Sequence, residues 1–384
     1  MNYNIYLFNP GNLNNDFFER SIYAGNVLES VLYLGHQLKI NERLNLTYGT
    51  RIVNWNNTGP ARVFDFDENY TVTDTTDHAE GVFNSFLNLE PQVSLDMMLS
   101  DDLIFKLSYD RHVQYLQLLS NSVSPFTTMD VWMPASPNIR PEKSHQFVFG
   151  VNKLFSEFDL GAEVYYKKIN DLLDYDDHAN MLLNPYIEGE VRFGNARSYG
   201  AEFSFQKQKG SFTFYSSYTW SRIFAKVNGI NGNREFPERH DKPHNFNMSL
   251  NYKTQGRWTL SAHWIYTSGM RFSSPTAFYY YRGYHVPIYT EKNNDKLPDY
   301  HRLDLSAELR LNKKEDSRFK HDLTFSIFNF YNRKNIIAVN FNKIETENGN
   351  IYIPADFVSE NEIITSSKYL IGFMPSIAYS FRFR

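Results

Sequence analysis

The chain has 384 residues, a formal net charge of −4, no cysteine, and an aromatic content of 17% with 32 Phe and 27 Tyr. The acidic balance argues against a nucleic-acid binder, which needs a basic face, and the absence of cysteine excludes disulfide frameworks and thiolate metal sites. Mean hydropathy is −0.50, and no apolar run approaches the ~18 residues of a membrane-spanning helix. Aromatic richness in a chain that is polar on average is typical of transmembrane β-barrels, which hide their hydrophobicity in alternating strands.

The first ten residues do not have the pattern expected of an export signal. Residues 1–10 lack the basic beginning and apolar core of a secretion signal. Because an outer-membrane protein needs such a signal, we expect the chain to be either a mature form or a C-terminal piece of a longer protein. The second interpretation is the favoured one.

Alternation of apolar and polar residues predicts strands along the whole chain. The clearest is 302–311, where Leu303, Leu305 and Leu309 fall on one face and Asp304 and Glu308 fall on the other. A strand that crosses a bilayer at a tilt takes about 9–11 residues, which is the length seen here. The predicted strands are 1–8, 26–38, 44–55, 87–99, 103–115, 145–155, 158–171, 199–205, 211–223, 244–253, 258–267, 302–311, 322–330 and 375–383.

The connections between these strands alternate between short turns and long loops. We expect tight turns at 41–43, 100–102, 156–157, 209–210 and 255–256, and long loops at 56–80, 116–143, 174–189, 224–242 and before the strand 302–311. Outer-membrane barrels keep short turns at one rim and long loops at the other, whereas a soluble sandwich has no reason to do so. The sequence therefore predicts an all-β, transmembrane, antiparallel up-and-down β-barrel domain over residues 1–384, with about fourteen strands present.

Five short motifs carry a resemblance to one family. They are Pro-Glu-Arg-His-Asp-Lys-Pro-His-Asn-Phe-Asn at 237–247, Leu-Pro-Asp-Tyr-His-Arg-Leu-Asp at 297–304, Arg-Ser-Tyr-Gly-Ala-Glu at 197–202, Tyr-Asp-Arg at 109–111 and Pro-Asn-Ile-Arg-Pro-Glu at 137–142. Together they resemble the C-terminal barrel of TonB-dependent outer-membrane transporters over nearly the whole chain. Members of that family have a 22-stranded barrel closed by an N-terminal plug, so the resemblance implies that the plug, the TonB-binding segment and roughly eight strands are missing here.

The resemblance also implies partners and a location. It places the chain in the cell outer membrane, with the lipid bilayer around the wall, the long loops extracellular and both termini periplasmic. The expected partners are the TonB complex, reached through the missing plug region, and a small-molecule or oligomer ligand. A surface lipoprotein acting as a lid is a further partner that the family leaves open, and no nucleic acid is expected.

Aromatic and arginine side chains on the expected outer loops are the candidate ligand contacts. Such side chains are common anchors for sugars, aromatic chelates and peptides. The alternative is that these rings form an interfacial belt or pack loop against loop. The candidates are Trp132, Arg271, Tyr279, Tyr280, Tyr281, Arg282 and Tyr284.

Charged residues on the polar faces of strands are the candidate lining of the lumen. They are Glu163, Glu202, Arg302, Asp304, Glu308 and Arg310. In the family they would contact the plug, and in a plugless barrel they would set channel selectivity.

No metal site, cofactor or catalytic set is predicted. His240, His244 and His301 lie where strands begin, near prolines, and no carboxylate or thiolate cluster completes a tetrahedral site around them, so a structural role is favoured. Two acidic groups lack the ligand spacing of a calcium loop and are interpreted as solvated loop charge. These groups are Asp65, Asp67 and Glu68, and Asp171, Asp174, Asp176 and Asp177. Because no nucleophile, base and orienting group stand out together, an enzyme is not expected.

Three functions fit these observations to different degrees. The first is active transport of a scarce nutrient (a siderophore, cobalamin, oligosaccharide or peptide) energised through TonB, with this chain supplying barrel wall and extracellular loops. The second is a self-contained, plugless, porin-like passive channel of about fourteen strands. The third, a soluble all-β binding protein, requires the alternating faces to form a protein core.

Overall fold

The computed structural model describes residues 3–8, 17–22, 26–119, 131–176, 179, 184–281, 284–312, 319–342 and 364–383. The first twelve strands are β1 (Tyr3–Phe8), β2 (Phe17–Ile22), β3 (Asn26–Asn41), β4 (Leu44–Phe66), β5 (Val72–Ser100), β6 (Leu103–Gln114), β7 (Leu116–Leu119), β8 (Val131–Pro134), β9 (Glu142–Leu154), β10 (Phe158–Tyr175), β11 (Val191–Lys207) and β12 (Phe212–Val227). The second twelve are β13 (Phe236–Pro237), β14 (His244–Lys253), β15 (Trp258–Thr267), β16 (Arg271–Phe272), β17 (Ala277–Tyr281), β18 (Tyr284–Ile288), β19 (Asp295–Lys296), β20 (Tyr300–Arg310), β21 (Phe319–Phe328), β22 (Ile336–Asn342), β23 (Ile364–Tyr369) and β24 (Met374–Phe383). Short 3-10 helices span Ile187–Glu190 and Ile230–Asn233.

One large antiparallel sheet organises the molecule. Its strand order is β24-β21-β20-β15-β14-β12-β11-β10-β9-β6-β5-β4-β3, and the two-residue strand β13 pairs with β12 to bring the sheet to fourteen strands. The predicted all-β antiparallel fold and the strand count are therefore confirmed. Within the described residues, no helix has the length and hydrophobicity needed to cross a membrane.

The membership of the sheet differs from the prediction at its start. The strand expected over residues 1–8 is present as β1, but it pairs with β2 in a separate hairpin. Thirteen long strands thus form the path from β24 to β3, and β13 makes the fourteenth. At each predicted tight turn the chain does reverse between neighbouring strands, for example between Asn41 and Leu44 and between Ser100 and Leu103.

The loop predicted at 56–80 is instead a β-hairpin arm, which is a correction to the sequence analysis. We define the arm as residues 59–81. The last β4 residue that pairs with β3 is Thr58, opposite Asn26, and β4 and β5 continue to pair with each other beyond it. The residues at its tip turn around Asp67, whose carboxylate accepts hydrogen bonds from the backbone N–H groups of Asn69 and Thr71, both at 2.8 Å. Each face of the arm mixes polar and apolar residues: Phe64 and Phe66 share a face with Arg62, and Val63 shares the other with Asp65. The arm therefore lacks the alternation that predicts the other strands.

The two faces of the large sheet differ in chemistry. One face, called the apolar face, exposes large hydrophobic side chains on strand after strand. Examples are Leu107, Phe147, Phe149, Leu160, Val164, Phe203, Leu260, Phe325 and Ile377, each at least 39% exposed. The opposite, polar face carries residues such as Glu163 and Glu202, which are directly opposite each other on β10 and β11. A soluble sandwich would bury the apolar face, whereas a membrane wall presents it to lipid.

Small hydrophobic clusters lie where the strands leave the sheet towards the long connections. One contains Ile169, Ala196, Ala225, Val227, Ile230 and Phe236. Another contains Leu119, Met133, Ile139, Leu173, Tyr175 and Val191. These clusters join strand ends to connecting segments, and they form the base of the cavity described next.

Candidate functional site

A cavity of about 320 Å³ lies at the long-connection end of the sheet. One wall is apolar and comes from β7 and β10, through Leu118, Leu119, Ile169, Leu172 and Leu173. The other wall is polar and comes from the connections around β13, β16 and β19. Its residues are Glu238, Arg239, His240, Arg271, Ser273, Lys292 and Asn293. This size falls within the range of small-molecule sites, which is about 300–1,000 Å³.

The turn at 238–241 is held in place by the fully buried side chain of Asp241. Its carboxylate accepts hydrogen bonds from the Arg222 guanidinium at 3.0 and 3.2 Å and from the backbone N–H of Ile223 at 2.9 Å. The backbone N–H of Asp241 donates to the carbonyl of Glu238 at 2.9 Å and closes the turn. Because residues of β12 donate all three hydrogen bonds to the Asp241 carboxylate, the turn is anchored to that strand, and the three residues before Asp241 are held along the cavity.

Asn231 positions Lys292, a second part of the polar wall that lies apart from the turn at 238–241. The Asn231 side chain accepts from the Lys292 backbone N–H at 2.7 Å and donates to the Lys292 carbonyl at 3.1 Å. The Lys292 ammonium forms an ion pair with Asp174 of β10. This ion pair bridges the apolar and polar walls and ties two parts of the chain that are 118 residues apart.

Two groups in the polar wall have displaced pKa values. Burial raises the pKa of the Glu238 carboxyl, and the nearby Asp174 carboxylate raises it further. Burial lowers the pKa of His240, and the neighbouring charges of Arg239 and Lys242 act in the same direction. His240 is therefore neutral at pH 7 and can both donate and accept a hydrogen bond.

Cationic side chains outnumber carboxylates among the residues that line the cavity: Arg239, Arg271 and Lys292 are present with Asp174 and Glu238. Lys292 is neutralised by Asp174, but Arg239 has no ion-pair partner among the described residues, and the Nε atom of Arg271 has no hydrogen-bond partner among them. The nearest carboxylate oxygen to that Nε belongs to Asp241, at 3.9 Å, and Arg222 already occupies it. The wall can therefore accept an anionic group, while the opposite wall accepts an apolar one.

Of the predicted ligand contacts whose side chains are described, one lines the cavity. Arg271 lines the cavity, whereas Trp132 on β8 is 61% exposed and is not among the lining residues. Tyr279 is 49% exposed on the β17–β18 hairpin. Tyr280, Tyr281 and Tyr284 lie on the same hairpin, of which only the strand pairing is described. Arg282 lies outside the described residues.

The predicted lumen residues fall into two separate groups on the polar face. Glu163 and Glu202 line a polar recess of about 180 Å³ together with Lys106, Asn152 and Thr219. The four others project from β20. Arg302 and Asp304 form an ion pair at 2.9 Å, and Glu308 and Arg310 follow on the same face of the strand, opposite Thr324 and Asp322 of β21.

Several of the histidines and acids considered as metal ligands are held by other groups. The Nδ1 atoms of His244 and His301 are 2.8 and 2.7 Å from the hydroxyls of Tyr218 and Tyr331. Asp171 pairs with Arg140 and Lys143, and Asp176 pairs with Arg192. Asp177 lies outside the described residues. In the part of the chain that the structure describes, no group of three or more His, Asp or Glu is arranged to hold a metal ion.

Sequence reasoning missed most of the cavity. The sequence analysis weighs His240 and Asp174 only as metal ligands, places Glu238 and Arg239 only in the family motif, and does not predict Lys292 as a site residue. The motif at 237–247 is the available signal, since it places five consecutive ionisable residues, 238–242, shortly before the strand that begins at His244. The apolar wall carried no signal, because Leu118 and Leu173 look like ordinary strand residues until the fold brings them together.

The sheet has one apolar and one polar face, its long path is antiparallel, and a cavity lies at one end. These features define an outer-membrane-type β-barrel wall whose long connections lie at one rim. The family model for the TonB dependent receptor-like β-barrel matches residues 1–332. The chain belongs to that family, and it is an outer-membrane β-barrel of the transporter and receptor class. A search of curated protein sequences returns no match.

Solved structures of TonB-dependent receptors share the fold. The ferric-catecholate import receptor Fiu from Escherichia coli K12 aligns over 96% of this chain and 46% of its own, with a TM-score of 0.57 and 14% identity. The siderophore receptor PiuA from Acinetobacter baumannii aligns over 95% and 44%, with a TM-score of 0.58 and 13% identity. The ferric yersiniabactin uptake receptor FyuA from Yersinia pestis aligns over 93% and 46%, with a TM-score of 0.57 and 12% identity. The chain thus spans less than half the length of these receptors.

Proposed function

We propose that this chain supplies barrel wall and ligand-binding connections to an outer-membrane transporter that takes up a scarce nutrient with energy delivered through TonB. Family membership supports the transport class, and the similar solved receptors include importers of ferric chelates. In this proposal the long connections face the cell exterior and the short turns face the periplasm, as in other barrels of this kind. The plug, and its contact with TonB, would come from the rest of the protein.

The two-sided cavity is the observation that carries the proposal. Its leucine-rich wall suits an apolar body, and Arg239 and Arg271 on the other wall suit an anionic group such as a carboxylate or a catecholate. The neutral His240 ring adds a donor and an acceptor. The cargo we infer is therefore a small amphipathic molecule with at least one anionic group, and a metal carried by such a molecule would be cargo rather than a resident cofactor.

The binding test uses the full-length protein in detergent and compares ligands that differ in charge. Chelated metals, cobalamins and oligosaccharides are titrated against wild type, Arg271→Ala and Arg239→Ala. Loss of a charge-assisted hydrogen bond, worth about 1.5–3 kcal/mol, should weaken an anionic ligand roughly ten- to hundredfold and leave neutral sugars unchanged. Arg43→Ala is the matched control, because the exposed Arg43 lies in the short turn between β3 and β4 and does not line the cavity.

The energy test distinguishes active uptake from a passive channel. Cells that carry the full-length protein should accumulate the ligand identified above only when TonB is present and the inner-membrane proton gradient is intact. Accumulation that persists without TonB would contradict the proposal and favour a passive pore. Equal binding of all ligands by wild type and Arg271→Ala would contradict the proposed role of the cavity in ligand binding, but it would not contradict TonB-dependent uptake.

A further inference from the structure

A concentration of positive charge lies on the apolar face, where the sheet meets the long connections. Four residues on four consecutive strands stand directly opposite one another: Arg111 pairs in register with His145, His145 with Lys168, and Lys168 with Arg197. Directly opposite residues of antiparallel strands share a face and lie about 4.5–5.5 Å apart. Like charges in such positions repel one another, so an unneutralised row of this kind is unfavourable by itself.

A second row, two residues further along each strand towards the long connections, extends the charge. In this row Lys143 of β9 is opposite Asn170 of β10, Asn170 is opposite Asn195 of β11, and Asn195 is opposite Lys226 of β12. With Arg140, which lies beside Lys143 at the shared carboxylate of Asp171, these residues form what we call the basic patch. The basic patch consists of Arg111, Arg140, Lys143, Lys168, Arg197 and Lys226.

Few carboxylates neutralise the basic patch. Asp171 serves both Arg140 and Lys143, each at 3.2 Å, and Glu235 pairs with Arg197 at 2.7 Å. Lys168 and Lys226 are exposed and have neither an ion pair nor a hydrogen bond among the described residues. Among the described residues, six cations therefore face two carboxylates on this surface, in a chain whose net charge is −4.

The residues below and beside the basic patch show what kind of surface it borders. Two residues further along each strand towards the short turns, the same four strands carry a row of aromatic side chains: Tyr109, Phe147, Tyr166 and Tyr199. Below these come exposed apolar residues such as Phe149, Val164 and Phe203, which face lipid in a barrel of this family. On β3 and β4 the apolar face at a similar level carries Ser30, Leu32, Leu34, Ile52 and Asn54, none of them charged. The charge thus lies on β6 to β12 and is absent from the described residues at that level on β3 and β4.

We propose that the basic patch binds the phosphate groups of an anionic lipid in the outer leaflet. The acyl chains of that lipid would lie along the apolar face below, and the headgroup phosphates would neutralise Lys168, Lys226 and the arginines beside them. Continuity with the lipid-facing surface is what favours a membrane lipid over a soluble anion. The inference rests on the orientation in the proposed function, with the long connections at the outer surface of the membrane.

The test measures lipid retention by the full-length protein with native mass spectrometry in detergent. The probes are lipid A that carries both phosphates, the same lipid A after enzymatic removal of its phosphates, and inorganic phosphate alone. The phosphorylated lipid should remain bound and the dephosphorylated lipid should not. The double variant Lys168→Gln with Lys226→Gln should bind the phosphorylated lipid about 25-fold more weakly, from about fivefold per lysine removed at a membrane surface.

A matched double variant controls for the loss of two positive charges. Lys209→Gln with Lys253→Gln removes the same charge from the short-turn end, where Lys253 ends β14 and Lys209 precedes β12, and it should bind like wild type. Equal retention of both lipids, equal binding by both double variants, or displacement of the lipid by millimolar phosphate would each overturn the inference. Ligand uptake should stay unchanged in both double variants, so its loss would count against the proposed function and not against lipid binding.

Discussion

Glu238 is a carboxylate held where its charge is unfavourable, half-buried and near Asp174. Because burial and the Asp174 carboxylate raise the pKa of Glu238 above its ordinary value of 4.5, the folded protein binds a proton here more tightly than the unfolded chain does. The group stabilises the fold fully only below pH 4.5, and that contribution is lost as the pH rises through the raised pKa. Above that raised pKa, the ionised carboxylate therefore destabilises the turn at 238–241.

Replacement of Glu238 by Gln should consequently slow amide hydrogen exchange in residues 236–243 at pH 7. Gln keeps an oxygen that can accept the Arg239 backbone N–H, a bond of 2.7 Å in the native turn, and removes the charge. Exchange followed by mass spectrometry on the full-length protein measures the effect. Glu291→Gln is the control, since that carboxylate is 48% exposed on the far side of Arg234. Faster exchange in Glu238→Gln would contradict the expected sign.

Asp299 shows the opposite behaviour. Burial tends to raise its pKa, but hydrogen bonds from Lys296, the Tyr266 hydroxyl and the Gly269 backbone N–H outweigh burial and lower the pKa to about 2. These donors lie 2.8, 2.7 and 3.0 Å from the carboxylate. The contribution to stability is present above pH 3.8, the ordinary pKa, and is lost as the pH falls through about 2.

Asp299→Asn should therefore loosen the connection before β20 at neutral pH. The expected loss is about 1–2 kcal/mol of local stability, since the charge-assisted bonds become neutral ones. Hydrogen exchange in residues 295–300 should be faster than in wild type at pH 7, and the difference should shrink as the pH approaches 2. Asp295→Asn, which alters an exposed side chain bonded only to the neighbouring backbone N–H, controls for the substitution. A difference that does not depend on pH would rule out this explanation.

The elements above the sheet are joined to one another by polar side chains. Glu188, in the 3-10 helix Ile187–Glu190, accepts hydrogen bonds from Ser136 and Asn138, both at 2.7 Å. Asn138 also donates to the Phe64 carbonyl in the arm at 2.9 Å. On the other flank, the Trp55 indole and the Asn57 amide both donate to the Ala135 carbonyl, at 3.1 and 2.8 Å. The segment after β8 is thus fixed between β4 and the connection that precedes β11.

Removal of Glu188 should release that segment. Glu188→Ala leaves two half-buried donors unsatisfied, which costs about 1–3 kcal/mol per group that cannot reach water, so limited proteolysis should cut residues 135–141 faster than in wild type. Glu68→Ala, at the tip of the arm, removes a carboxylate with no partner among the described residues and should leave the cleavage rate unchanged. Equal cleavage rates in the two variants would show that the hydrogen bonds of Glu188 do not hold the segment.

At the scale of single elements, the sequence predicts those strands that have lipid on one face and water on the other. That boundary imposes a period of two, so strands such as β10 and β20 could be predicted with their faces. The arm extends beyond the end of β3 and mixes polar and apolar residues on both faces, which leaves no such period, so its sequence resembles a loop. The cavity depends on contacts between distant segments, such as Asp174 with Lys292, and a local pattern carries no information about a partner 118 residues away.

The direction of the two edge strands constrains the whole molecule. All neighbours along the path of thirteen strands are antiparallel, so β3 and β24, at its two ends, run in the same direction. Each of them pairs on one side only among the described residues. Lipid forbids an unpaired strand edge, because the backbone N–H and C=O groups would lose their hydrogen bonds. An all-antiparallel barrel can close this sheet only with an odd number of additional strands between β24 and β3.

We therefore expect β3 and β24 to remain apart in the full-length protein. Cysteines introduced at Leu32 of β3 and Tyr379 of β24 should not form a disulfide on mild oxidation, and this chain has no native cysteine to interfere. Leu323 and Tyr379 are directly opposite on β21 and β24, so the pair of cysteines at 323 and 379 should cross-link and serves as the positive control. A cross-link between positions 32 and 379 would mean that the two edges meet as parallel neighbours, and the argument for additional strands would fail. Without such a cross-link, the smallest addition that satisfies both edges is a single strand, and every larger solution adds strands in pairs.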